Sequence, residues 1–122
     1  MQIKAFVVTV LLAATATATA LPKRVGAFGA CTPTMDFVLG RPGRKATEGT
    51  FLPTDPQVAK GQGDALNPNI ITNAICNNLV NNCGLKREDA GVKTCEAAKA
   101  KVAALGTKDA STAAAFNAAL GL

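Results

Sequence analysis

The chain has 122 residues, with 13 Lys and Arg against 8 Asp and Glu, a formal charge of +5. It contains no His, Trp or Tyr. That removes imidazole as a general base, triad member or metal ligand, and it removes the aromatic platforms that usually line a sugar cleft.

Residues 1–20 read as a secretory signal peptide. Lys4 supplies the positive start, an apolar run follows from Ala5 to Ala13, and Ala18-Thr19-Ala20 is a small-x-small cleavage site ending at Ala20. The run is too short to cross a bilayer and no later stretch is longer, so no membrane span is expected and the protein is expected to be secreted and extracellular. Residues 21–24 read as a dibasic pro-segment. Lys23-Arg24 offers a kexin-type protease a site that would start the mature chain at Val25 instead of Leu21. About 100 residues then remain, enough for one domain with one modest core. Loss of Lys4, Lys23 and Arg24 leaves ten basic against eight acidic residues. The positive excess is thus mostly N-terminal, and no nucleic-acid partner is expected. A second pair, Lys86-Arg87, must escape the same protease, so regular structure or shielding is expected there.

Residues 25–66 carry turn signals at Thr32-Pro33, Arg41-Pro42-Gly43, Leu52-Pro53-Thr54-Asp55-Pro56 and Gly61-Gln62-Gly63. They read as irregular, extended chain with short apolar anchors at Met35, Phe37, Val38, Leu39, Phe51, Leu52 and Val58. Arg41, Arg44 and Lys45 form a local basic cluster, either a solvated loop or an anion-binding patch.

Residues 67–122 read as a helical domain, with 25–122 as one folded unit. Asn67 is a good N-cap and Pro68 fits the first helical position. Ile70, Ile71, Ala74, Ile75, Leu79, Val80 and Cys83 recur at helical spacing, which predicts a first helix over about 68–83 stopped by Gly84. A second helix is predicted over about 86–105, with Glu88 and Asp89 in its first turn and a stripe of Val92, Cys95, Ala98, Val102 and Leu105. Gly91 leaves a later start open. A third, Ala-rich helix over about 110–120 carries Phe116 and Leu120. The expected fold class is mainly α: a small disulfide-stapled domain, an antiparallel helical hairpin plus a short third helix, with an irregular N-terminal half. A monomer is expected.

Cys31, Cys76, Cys83 and Cys95 all lie in the exported part, so two disulfides are expected, and without a CxxC pair or His no metal site is. Cys76 and Cys83 on one helix would stand about 10 Å apart along the axis, beyond disulfide reach. A hairpin turning at Gly84-Leu85 brings Cys76 opposite Cys95, which favours Cys76–Cys95 with Cys31–Cys83. A later start of the second helix would favour Cys83–Cys95 with Cys31–Cys76.

Chemistry-bearing residues are few. There is no G-x-S-x-G, Ser111 is the sole Ser, and bridged cysteines are not nucleophiles. A non-enzymatic protein without cofactor is expected. Asn69, Asn73, Asn77 and Asn81 stand at steps of four along the first helix. They make either an amide ladder for a glycan or a protein backbone, or an uncharged solvated face. No Asn-x-Ser/Thr sequon occurs.

The stretch from Gly43 through Phe51 to Pro56, then Ala65-Leu-Asn-Pro-Asn-Ile-Ile-Thr-Asn-Ala-Ile-Cys76, then Cys83, Cys95 and the segment from Gly106 to Thr112, resembles small secreted proteins of filamentous ascomycete fungi. The resemblance covers about 40–122 and is most specific through the Ala65–Cys76 stretch. It implies an extracellular, effector-like protein that binds a host or microbial molecule, and it carries over no catalytic residue. Two alternatives stand beside it: a wall- or surface-associated structural protein, and a small carrier of lipid or another apolar ligand.

Overall fold

Asn67 opens the helical half as its sequence predicts. Its side chain accepts from the Asn69 N–H at 2.9 Å while Pro68 takes the first helical position. In the computed structural model, which describes residues 27–122, the elements are β1 (Met35–Leu39), β2 (Gly49–Pro53), α1 (Pro56–Ala59), α2 (Pro68–Asn81), α3 (Ala90–Leu105) and α4 (Ala110–Ala119). The signal-peptide and pro-segment readings, with Ala20, Lys23 and Arg24, lie outside the described residues.

The three long helices stand where helical spacing places them, with shorter ends. α2 stops at Asn81, two residues early, because Gly84 turns into the left-handed region (φ 81°) and the Leu85 N–H reaches back to the Leu79 carbonyl at 3.1 Å. α3 starts at Ala90, not near 86. Asp89 is its N-cap, but the carboxylate turns back to the Lys86 N–H at 2.8 Å and closes a tight turn, so Glu88 and Asp89 precede the helix. Gly91 belongs inside α3 for a packing reason: a Cβ there would collide with the Ala27 carbonyl. Gly106 ends α3 with φ 66°. α4 is opened by a capping box between Asp109 and Thr112.

The N-terminal half departs from the sequence expectation. Instead of irregular chain it forms an antiparallel hairpin in which Met35 faces Pro53, Phe37 faces Phe51 and Leu39 faces Gly49. Phe51 also exchanges both backbone hydrogen bonds with Ala65, at 2.8 and 3.0 Å, which adds a one-residue third strand. The Phe37 ring packs over Gly49, where a Cβ would strike it, and lies 5.0 Å from the Phe51 ring centroid. Asp55 caps the single turn of α1 and also accepts from the Thr32 N–H at 2.8 Å.

The core lies where the sheet and the helices meet. It is built from Phe28, Met35, Phe51, Val58, Ile71, Ile75, Leu79, Val92, Val102, Phe116 and Leu120. Val38 and Leu39, read from the sequence as apolar anchors, and Ile70 and Leu105, read as part of the helical stripes, are exposed instead. α4 seals the outer edge of β1 through Asn117, whose Oδ1 accepts from the Met35 N–H at 3.0 Å while Nδ2 donates to the Met35 carbonyl at 2.9 Å.

Two disulfides staple the fold: Cys76–Cys95 joins α2 to α3 within the helical half, and Cys31–Cys83 ties the N-terminal segment to the chain just after α2. This is the pairing that hairpin symmetry favours, and no cysteine is free. By loop entropy they stabilise the fold by about 3 and 4 kcal/mol respectively. The molecule is thus mainly helical and disulfide-stapled, with a small two-stranded sheet. Among the described residues no helix is long and apolar enough to cross a membrane.

Candidate binding groove on the helical face

α2 buries Ile71, Thr72, Ile75, Cys76 and Leu79. The opposite side of the same helix carries the four-step Asn series, because residues at i and i+4 lie one above the other. That side is the floor of an open groove of about 700 Å³. One wall is α3, through Lys99, Ala100 and Ala103. The other is the turn after α1, through Lys60, Gly61 and Gln62. All four sequence-predicted amides, Asn69, Asn73, Asn77 and Asn81, line it, and Asn78 joins them.

Hydrogen bonds orient several of these amides. Lys99 Nζ donates to Asn73 Oδ1 at 3.2 Å, and the Arg87 guanidinium donates to Asn77 Oδ1 at 3.0 Å. Lys99 is itself held by Glu96 at 2.8 Å. Asn78 is turned the other way: its Nδ2 donates to the Val58 carbonyl at 2.6 Å and to the Lys60 carbonyl at 3.3 Å, pinning the 58–62 wall to α2. With the acceptor oxygens of Asn73 and Asn77 committed to cations, their Nδ2 groups remain to act as donors. Ile70 and Ala74 supply apolar floor between the amides, and Ala100 and Ala103 make the α3 wall apolar beside Lys99. The groove lining holds two Lys and no carboxylate.

Arg41, Arg44 and Lys45 are not brought to the groove. Arg41 is largely covered: it pairs with Asp36 and donates to the Thr50 carbonyl at 2.9 Å. Arg44 pairs with Asp64 at 3.2 Å and reaches the Asp64 carbonyl at 3.3 Å. Lys45 is exposed on the 40–48 loop. The arginines therefore brace the hairpin loop, Arg41 against Asp36 on β1 and Arg44 against Asp64 in the segment after α1. The Thr50 hydroxyl, with Arg44 and Arg41, holds the Asp64 carboxyl below its ordinary range against partial desolvation.

Lys86-Arg87 lies in the exposed segment between α2 and α3, not in regular structure. Arg87 is tethered by Asn77 and, at 3.9 Å, by Glu96.

Sequence reasoning found the amides but missed Ile70, Lys60, Gln62, Ala100 and Ala103. Helical spacing from Ile70 to Ala74 puts Ile70 in the apolar stripe, yet it is exposed. Its position three residues before Asn73 places it on the ladder's side, a signal present in the spacing. Lys60 and Gln62 reach the groove only through the Asn78 contacts, which no local pattern announces. No family model matches this chain, and neither a curated protein nor a solved structure is significantly similar to it.

Proposed function

We propose that this is a secreted, non-enzymatic, effector-like protein of the fungal small-secreted class, and that it acts outside the cell by binding a host or microbial molecule in the α2 groove. The observation that carries the reading is the groove itself. A row of polar amides that no folding requirement demands is kept uncovered, oriented by Lys99 and Arg87, on a helix that buries its other side. The signal sequence and the fully bridged cysteines support an oxidising destination. The groove's amide and ammonium lining favours a polar ligand over an acyl chain, which argues against the lipid-carrier alternative.

The test is complementation of a deletion strain with the Asn73→Asp, Asn77→Asp double variant. Asp keeps the acceptor facing Lys99 and Arg87, so the fold is retained while two donors are lost and the two positive charges of the lining are cancelled. The deletion strain is expected to grow normally in culture and to fail on a living host, and the variant is expected to fail with it. A variant that restores host growth in full would remove the groove from the function. A wall or growth defect in pure culture would instead favour the surface-associated alternative.

A further inference from the structure

We propose that the groove takes an extended, acidic peptide segment of about six residues, whose backbone lies along the Asn ladder. This rests on the groove being the working surface, and goes further by naming the ligand class.

Three observations converge. The first is repeat length. Amides at steps of four on α2 rise about 6.0 Å per step. Alternate residues of an extended chain repeat every ~6.6 Å. From Asn69 to Asn81 the ladder covers about 18 Å, the length of five to six extended residues, with a mismatch per step that a flexible Asn side chain absorbs.

The second is chemistry already at work in this molecule. Asn117 grips the extended residue Met35 by both its N–H and its carbonyl, so a helix-borne Asn meeting a passing strand is a contact this fold makes. In the groove, Asn73 and Asn77 have their oxygens tied to Lys99 and Arg87, so they present donors to backbone carbonyls. Asn69 and Asn81 have no side-chain hydrogen bond among the described residues, and each can offer both donor and acceptor.

The third is charge. Lys60 stands on one wall without an ion pair among the described residues, and on the other Lys99 and Arg87 share the single carboxylate of Glu96, so the groove keeps a net positive charge on both sides of the bound strand. Alternate residues of an extended chain point in opposite directions, which lets acidic side chains reach both walls. Ile70 and Ala74 on the floor and Ala100 on the wall give the intervening residues apolar surface, where the neutral sugar faces of a glycan would usually seek an aromatic ring.

The experiment uses the full disulfide-bonded secreted protein and three probes: a blocked decapeptide of alternating Glu and Thr, its Lys/Thr counterpart, and a short oligouronate. The Glu/Thr peptide is expected to bind, more weakly as salt rises, with the Lys/Thr peptide at least tenfold weaker. Lys60→Glu should lower the Glu/Thr affinity at least tenfold and narrow or reverse the preference between the two peptides. Asn73→Asp with Asn77→Asp should lower it by a similar factor, with circular dichroism and melting unchanged. Oligouronate binding without peptide binding would overturn the peptide and leave the groove as the working surface. Failure of both peptides to bind, or equal binding of both, overturns the inference outright. The complementation result stands apart, because it reads the groove whatever its ligand.

Discussion

The molecule has two polar faces, and they are used in opposite ways. On the β1–β2–α4 side the polar side chains are bound to the protein itself. Arg41 is held by Asp36 and Thr50, Arg44 by Asp64, Asn117 by Met35, and the Thr34 and Thr54 hydroxyls share a 2.6 Å contact. On the α2–α3 side the amides make contacts that orient them and leave hydrogen-bonding capacity open. The charged cluster that looks more like a ligand site in the sequence is the structural one. The uncharged Asn series is the open one. The loop arginines find carboxylates on the elements packed beside them, Asp36 on β1 and Asp64 after α1, whereas an amide row on a helix's outer side has no partner within its own element.

That contrast makes substitutions on the two faces read differently. The largest effect belongs to the staple that joins them. Replacing Cys31 and Cys83 together by Ala should lower unfolding free energy by about 4 kcal/mol, measured by urea titration. A loss below about 1 kcal/mol would mean the N-terminal segment holds its place without the bridge. Next come two Asn→Ala changes as a matched pair. Asn117→Ala breaks two bonds to a buried strand residue and should cost about 2–3 kcal/mol. Asn81→Ala, on the exposed ladder, should stay within about 0.5 kcal/mol. Equal costs would erase the distinction between the faces. Arg41→Ala should follow at about 1–2 kcal/mol, since it strands the buried Thr50 carbonyl.

The helical side was legible because its signals are local. Asn67-Pro68, Gly84 and Gly106 punctuate apolar spacing, and the disulfide pairing followed from where the chain turns. The hairpin was not legible because its stabilising partners are distant. β2 begins at Gly49 and ends at Pro53, two residues that discourage a strand reading. It is held by Phe37 over Gly49, by Ala65 against Phe51, and by α4 against β1. The ladder was visible as a stripe, but whether it was covered depended on α3 and the 60–62 turn, whose placement is tertiary.

The smallest effect is one of pH, and it sharpens the contrast within a single experiment. The Ser111 hydroxyl, with the Ser111 and Thr112 backbone N–H groups, keeps the Asp109 carboxyl below its ordinary range, and Asp64 is lowered too. A carboxyl whose folded pKa is depressed stabilises the fold fully above its unfolded value near 3.8, and that stabilisation is lost as pH falls through the lower folded value. Asp64, in the segment after α1, pairs with Arg44 of the hairpin loop and Asp109 stands at the start of α4, both on the internally satisfied side. α2 and α3 are joined by a buried disulfide that does not titrate. On acidification from pH 5 toward pH 2, hydrogen exchange should therefore accelerate first in α4 and in 40–65, with α2 and α3 protected longest. Asp109→Asn keeps an N-cap at neutral pH, because Asn caps as well as Asp, and should flatten the acid response of α4 alone. Exchange that rises evenly across all four helices would mean acid opens the fold as one unit, and the two faces would then differ in use but not in stability.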